Sequence, residues 1–224
     1  MSREEWQLVE FTAGMAAAST VLLFPFGVVI AWWLARVQWR GKIIAETLIT
    51  LPLVLPPVVT GLVLLKIFGR RGVAGHWLHE FFGWDVIFTW RAVVIALAVM
   101  SLPLFVWAAR AAIEEVNPNF EQMGRTLGAG EWRIFFTITL PLAKRGVFAG
   151  TMLAFARALG EFGATIMVAG NIPGETTTLS VAIYQYVQLG QDSHAWALAG
   201  VSGVLAFVAV WGSACLLRRR KREV

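Results

Sequence analysis

Long apolar runs, separated by short polar segments, dominate this chain. Each uncharged run holds about 18 residues or more, enough for a helix to cross a hydrocarbon core of about 30 Å. The four runs are Phe11–Ala35, Thr47–Leu65, Ala92–Ala109 and Ala195–Leu217. A fifth run, at residues 146–170, is equally long but contains two charged residues, Arg157 and Glu161. The pattern therefore predicts an all-α membrane protein with five transmembrane helices.

The chain has no linker or internal repeat that would divide it into separate units. We expect one transmembrane domain over residues 1–224, with spans at about 11–35, 43–68, 91–113, 142–170 and 194–217. The first run is too long for a signal-peptide core and the leader before it is acidic, so we expect this run to remain in the mature protein.

The charged residues support a membrane location and indicate an orientation. Only 15% of the residues are charged, against about 25% in soluble domains. The net charge of +5 does not indicate nucleic-acid binding, because the basic residues cluster in three polar segments: Arg36–Lys42, Arg110–Arg145 and the tail Arg218–Arg222. The positive-inside rule places these segments in the cytoplasm and the N-terminus outside. The pair Arg70-Arg71, in a loop expected outside, fits this rule poorly.

Two further segments are expected to be external. Residues 176–191 are uncharged but rich in Thr, Gln and Tyr, and a span there would force the basic tail outside. We predict an external helix with an apolar stripe of Leu179, Ile183 and Val187; a re-entrant segment and a short span are the alternatives. The glycine-rich loop at residues 69–90 is expected to contain a small amphipathic element.

The polar segment at residues 117–141 has the pattern of two short helices on the cytoplasmic side. Asn117 can cap a helix that begins with Pro118, and Gly128 suits the left-handed position at its end. A second short helix with Trp132, Phe135 and Phe136 is expected to follow. We expect Leu140-Pro141 to end it before the next span.

The first of these helices carries an apolar stripe at spacings of three and four residues, formed by Phe120, Met123 and Leu127. An exposed apolar stripe is expected to pack against another apolar surface. The amphipathic pattern alone does not decide whether this surface is the groove of a partner protein or the membrane.

The spacing of Gly124, Gly128, Ile138 and Leu140-Pro141 resembles the EAA loop of ABC-importer permeases, which docks the ATPase. Gln122, Met123 and Gly124 stand where that family most often has Glu-Ala-Ala. The resemblance implies that this loop couples the chain to ATP hydrolysis on a separate subunit. The chain itself has no P-loop pattern, and its scattered histidines predict no metal site.

The resemblance extends to the stretches LPLVLPPVVTGLVLL at residues 51–65 and FARALGEFGATIMVAGNIPGE at residues 155–175, which look like the molybdate permeases of ABC importers. It implies the type I importer fold in the bacterial inner membrane. It also implies a homodimer, two cytoplasmic ATPase subunits that hold ATP and Mg, and an extracytoplasmic oxyanion-binding protein. The contact residues for that protein would be Asn171, Pro173, Gly174 and Glu175. Sulfate or tungstate permeases are the alternatives within the family.

The second apolar run carries candidates for the translocation path. Pro56 and Pro57 each remove a backbone donor, which is tolerated within a membrane where neighbours or water satisfy the freed carbonyls. Thr60 lies one turn later. This pattern suits a helix that lines a cavity, and a buried structural kink is the alternative.

Arg157 and Glu161 form the intramembrane ionisable pair. At a spacing of four residues they share one helix face and can neutralise each other. A structural salt bridge that fixes helix packing is one interpretation. In the other, Arg157 attracts the dianion while Glu161 keeps that attraction weak enough for release.

Two other classes of protein fit this sequence less well. A membrane-embedded enzyme would need a nucleophile with a base, or a metal cluster, at membrane depth, and this sequence places only Arg157 and Glu161 there. An ATP-independent anion channel or carrier would not explain the loop that resembles the EAA motif.

Overall fold

The computed structural model describes residues 2–220, and helices are its only regular elements within that range. In chain order the α-helices are α1 (Arg3–Arg36), α2 (Lys42–Val54), α3 (Pro57–Phe68), α4 (Val73–Phe82), α5 (Trp90–Glu114), α6 (Pro118–Thr126), α7 (Glu131–Ile134), α8 (Leu140–Leu159), α9 (Gly163–Ala169), α10 (Leu179–Gln188) and α11 (Asp192–Arg220). A π-helical turn, Phe135–Thr139, joins α7 to α8. The basic tail beyond residue 220 lies outside the described residues.

Three helices are long and apolar enough to cross a membrane on their own: α1, α5 and the Asp192–Cys215 part of α11. Two helix pairs meet the same test only when they are taken together. One pair is α2 with α3, and the other is the continuous stretch Glu131–Leu159, which ends with α8, together with α9. By length and composition, the described residues therefore contain three membrane spans, or up to five if each bent helix pair is counted as one span.

The expected span at 43–68 is not one continuous helix. It breaks between α2 and α3, which are bent by 112°. Leu55 and Pro56 have extended ψ values of 147° and 130°, because a residue that precedes proline is pushed away from the helical region. Pro57 then begins α3, a position where its missing N–H costs nothing.

The expected span at 142–170 is also broken. Helix α8 ends at Leu159, and α9 continues from Gly163 at an angle of 65°. The expected helix end at Leu140-Pro141 is wrong as well, because α8 begins there without interruption. The π turn that precedes Pro141 has Leu140 N–H bonded to the carbonyl of Phe135, five residues back. This wider hydrogen-bonding pattern lets the helix pass a residue that has no N–H to donate.

Helix α5 is the centre of the bundle and packs against α1, α8, α9 and α2. Phe105, Val106 and Ile113 of this helix are fully buried. Small residues allow close helix approach: a Cβ on Gly150 would lie 3.0 Å from the Cβ of Ala108. In contrast, α2 buries no residue and keeps an apolar surface exposed.

Each of the two segments expected to be external contains one predicted helix: α4 lies within residues 69–90, and α10 lies within residues 176–191. Gly83 ends α4 in the left-handed conformation. In α10, Leu179 and Ala182 are buried against Val9 of α1 and Leu198 of α11. Val187, the last residue of the predicted apolar stripe, is 55% exposed, because this helix turns its first half towards the bundle.

Candidate docking surface and translocation site

Helix α6 has the boundaries that its sequence predicts. The Asn117 side chain caps it by accepting a hydrogen bond of 3.0 Å from the Asn119 N–H, and Pro118 occupies the first turn. The helix ends at Thr126. Gly128 follows with φ +80° and open space around it, a conformation that a side chain would disfavour.

The apolar stripe of α6 is exposed. Phe120 is 49%, Met123 61% and Leu127 86% accessible, and Gln122 is exposed beside them. Nothing within residues 2–220 covers this face, so it can meet either a partner protein or the membrane surface. We call Phe120, Met123 and Leu127 the docking face.

The opposite side of α6 packs on the segment that follows it. Gly124 is buried, and a Cβ there would lie 3.1 Å from both Ile134 Cγ1 and Ile138 Cδ1. The structure thus brings Gly124 and Ile138 together, and their contact holds α6 against α7 and the π turn. Leu140 and Pro141 lie at the start of α8, where Leu140 packs against the core.

A buried charge network, which the sequence interpretation missed, anchors α6 to the bundle. Glu121 is 2% exposed. Its Oε1 accepts hydrogen bonds from Arg36 Nε at 3.0 Å and from Thr139 Oγ1 at 2.7 Å. Arg36 Nη2 also donates to the carbonyls of Ile113 and Val116. The network joins α6 to the ends of α1 and α5 and to the π turn.

A second ion pair, at the surface, closes the loop between α6 and α7. Arg125 Nε and Nη2 donate to the two carboxylate oxygens of Glu131 at 2.6 and 3.0 Å. The Arg125 hydrogen bonds lower the pKa of Glu131. The pair is exposed, so it fixes the loop geometry more than it adds stability.

The two helix breaks within the apolar spans face each other. A Cβ on Gly163, at the start of α9, would lie 2.8 Å from Pro57 Cβ, and one on Gly61 would lie 2.9 Å from the Ala164 carbonyl. Thr60 is buried beside this contact. Its Oγ1 has no hydrogen-bond partner among the described residues. Pro56 and Pro57 are exposed next to the break.

Arg157 and Glu161 form the expected pair, with Nη2 and Oε2 2.8 Å apart. The Glu161 side chain is 1% exposed and that of Arg157 is 25% exposed. The second oxygen of Glu161 accepts a 2.8 Å hydrogen bond from the Ala164 N–H, so this carboxylate also caps α9. The pair therefore joins α8 to α9 across the break, and the arginine is its accessible member.

The four residues proposed from sequence to contact a binding protein form one exposed turn at the other end of the bundle from α6. Asn171 is held by hydrogen bonds with Gln185 and Thr177. Gly174 has φ +81°, and it lines a cavity with Pro173 and the N-terminal part of α1. Glu175 is also exposed. Among the described residues, no group of three or more His, Cys, Asp or Glu could hold a metal ion.

Comparison with known proteins identifies the family. Residues 24–222 match the family described as binding-protein-dependent transport system inner membrane component. The molybdenum transport system permease protein of Escherichia coli is 48% identical over 215 residues, which cover 96% of this chain and 94% of that protein. The sulfate transport system permease protein of Synechocystis is 37% identical over 90% of this chain and 73% of its own length.

A solved structure supports the fold. A chain of a methionine ABC transporter, in inward-facing conformations, superposes with a TM-score of 0.69 at 18% identity, covering 98% of this chain and 99% of that one. The helical architecture is thus the one found in permeases of ABC importers. The chain belongs to the inner membrane components of binding-protein-dependent transport systems, the permease family that includes the molybdenum transport permeases.

Proposed function

We propose that this chain is the permease subunit of an ATP-driven importer that carries molybdate across the bacterial inner membrane. It acts as a homodimer with two cytoplasmic ATPase subunits, which hold ATP and Mg, and it receives the anion from an extracytoplasmic binding protein. The observation that carries this proposal is the exposed docking face of α6, in a chain whose relatives are molybdenum transport permeases.

The construction of α6 supports its role as the docking element. Its outward side presents three large apolar residues, and its inward side is fixed by Gly124 and by the buried Glu121. A helix that receives force from an ATPase must be tied to the membrane helices. The Glu121–Arg36 ion pair makes this connection, because Arg36 is the last residue of α1.

The apolar surfaces of α2 and α3 support the homodimer and the five-span topology. Helix α2 buries none of its residues, and Ile43, Ile44 and Val54 are each at least 66% exposed. Such a surface needs lipid or a second protein to cover it. In this topology the broken pairs α2–α3 and α8–α9 each count as one span, so the two termini lie on opposite sides of the membrane. The positive-inside rule then favours an external N-terminus and a cytoplasmic C-terminus.

The contact between the two helix breaks is the proposed translocation site. Pro56, Pro57 and Thr60 lie on one side of it, and the Arg157–Glu161 pair on the other. Glu161 has a structural role because it caps α9, whereas Arg157 keeps an accessible guanidinium. A half-neutralised arginine can attract a dianion without trapping it.

The exposed turn of Asn171, Pro173, Gly174 and Glu175 is the proposed contact for the binding protein. It lies at the end of the bundle opposite α6, where an extracytoplasmic partner would meet the permease. Its hydrogen bonds to Gln185 and Thr177 fix the turn before a partner arrives, which reduces the entropy that is lost on binding.

Uptake in cells that lack their own molybdate permease tests this function. We expect cells that express the chain with its ATPase and binding protein to accumulate labelled molybdate, with tungstate competing strongly and sulfate weakly. Strong competition by sulfate would identify a sulfate permease. Uptake by the chain without its ATPase would identify an ATP-independent carrier.

A further inference from the structure

The pair Arg70-Arg71, which fits the positive-inside rule poorly, lies at the wall of a cavity. The cavity has a volume of about 630 Å³, and the residues around it include Lys66 of α3, Arg70, Arg71 and Trp84. Phe88, which also lines the cavity, lies two residues before α5, and its N–H donates to the Val168 carbonyl at 3.0 Å. The cavity therefore lies beside the start of α5. Helix α6 follows the other end of this 25-residue helix, about 37 Å away.

Basic side chains outnumber carboxylates among the residues that line this cavity. Arg70 is matched by Asp85, with Nη2 and Oδ2 2.7 Å apart. The hydrogen bonds from Arg70 lower the pKa of Asp85. Lys66 and Arg71 are exposed and have no carboxylate partner among residues 2–220. Arg91 is a fourth cation nearby, with its guanidinium carbon 4.7 Å from the centre of the Trp84 ring.

Helix α4, which begins at the edge of this cavity, carries an unpartnered apolar stripe. Val73, Trp77 and Phe81 follow one another at four-residue spacing and are 82%, 59% and 65% exposed. The Trp77 and Phe81 rings are stacked with centroids 5.0 Å apart. The polar residues His76 and Glu80 pair with each other at 3.0 Å. Such a helix is suited to lie in the interface of a bilayer, where aromatic rings are favoured.

We propose that this cavity binds the phosphate of an anionic phospholipid headgroup, with α4 lying in the membrane interface beside it. Lys66 and Arg71 supply the uncompensated positive charge that a phosphodiester needs. This site is separate from the proposed translocation site, and its occupant is a lipid of the leaflet opposite the docking face.

The surroundings of the cavity favour a lipid over free phosphate. The helix that carries Lys66 runs towards the middle of the membrane on the side of its N-terminus, and its apolar residues there are exposed, Val63 at 48% and Val59 at 40%. Acyl chains can lie along this surface while the headgroup occupies the cavity. A basic side chain at a helix end can reach the headgroup level from this position.

The test measures lipid binding to the purified permease–ATPase complex in detergent. Fluorescent phosphatidylglycerol and phosphatidylcholine are titrated into the wild type, into Lys66→Gln/Arg71→Gln, and into the control Lys42→Gln/Arg40→Gln. The control removes the same two residue types from the other end of the bundle. We expect the wild type and the control to prefer phosphatidylglycerol. The Lys66→Gln/Arg71→Gln variant should bind it about tenfold more weakly.

A competition experiment with inorganic phosphate identifies the source of the phosphate group. Millimolar inorganic phosphate should not displace phosphatidylglycerol, because the acyl chains contribute most of its affinity. Equal binding of both lipids by the wild type would contradict the proposal, as would an equal loss in the control variant. Displacement by inorganic phosphate would also overturn it, because the site would then bind a free anion.

Discussion

At the scale of single residues, the docking segment depends on a buried carboxylate. Glu121 accepts hydrogen bonds from Arg36 and Thr139, which lie 85 and 18 residues away in the chain. Since removal of one partner from a buried ion pair leaves the other charge uncompensated, this position is more sensitive than its exposed neighbours. The same segment contains a surface carboxylate, Glu131, which allows a direct comparison.

We expect Glu121→Gln to destabilise the docking segment by about 2 kcal/mol, since Arg36 loses its countercharge but keeps two carbonyl partners. The matched change Glu131→Gln should cost less than about 1 kcal/mol, because its pair with Arg125 is exposed. Copurification of the ATPase with each variant measures the difference. Equal retention of the ATPase by both variants would contradict an anchoring role for Glu121.

Residue patterns predicted the local features of the chain well. Asn117, Pro118 and Gly128 set the ends of α6 through rules that operate within a few residues. The spacing of Arg157 and Glu161 predicted their contact for the same reason. Glu121 was missed because its burial depends on Arg36, a partner in a distant helix, and nothing in its neighbourhood distinguishes it from a solvated glutamate.

At the scale of helices, the sequence predicted the three long apolar helices α1, α5 and α11. It included a kink at Pro56-Pro57 only as an alternative, and it did not predict the break between α8 and α9. Prolines inside α1 and α5 leave those helices continuous, whereas Pro56 and Pro57 accompany a bend of 112°. Two features favour the break at this point: two consecutive prolines each push the preceding residue out of the helical region, and the start of α3 packs against Gly163 and Ala164 of α9. A rule based on a single proline cannot separate these cases.

The break between α8 and α9 yields a prediction about the ion pair that spans it. Glu161→Gln can still accept the Ala164 N–H but leaves Arg157 without a countercharge, whereas Glu161→Ala removes both contacts. We expect Glu161→Ala to lower the yield of assembled complex most, and Glu161→Gln less. Arg157→Gln/Glu161→Gln should recover much of the yield, because no unpaired charge remains.

Transport by the doubly neutral variant separates the two roles of the pair. If Arg157 attracts the anion, this variant assembles and retains ATPase activity but transports molybdate at a reduced rate. Normal transport by this variant would leave the pair with a structural role only. Yield and uptake are measured on the same preparations, so that a loss of assembly is not mistaken for a loss of transport.

At the scale of the whole molecule, the proposed orientation follows from charge placement. The basic segments around Arg36 and Arg110 lie at the same end of the bundle as α6, and the turn at 171–175 lies at the other end with the start of α1. This arrangement agrees with a cytoplasmic docking face and an external N-terminus.

Cysteine labelling in intact cells tests this orientation. With the native thiol removed by Cys215→Ser, Arg3→Cys should react with an impermeant maleimide added outside. Asn119→Cys, in the docking segment, should react only after the cells are permeabilised. The opposite labelling pattern would reverse the topology and place the docking face on the wrong side for a cytoplasmic ATPase.

The most direct test of the account is ATP-dependent molybdate uptake by proteoliposomes that contain this chain, its ATPase and its binding protein. ATP sealed on the side of the docking face should drive accumulation of labelled molybdate against its gradient, and a non-hydrolysable analogue should not. Removal of the ATPase should abolish accumulation. Equilibration of molybdate across the membrane by this chain alone, without ATP, would contradict the proposed function as an ATP-driven importer subunit.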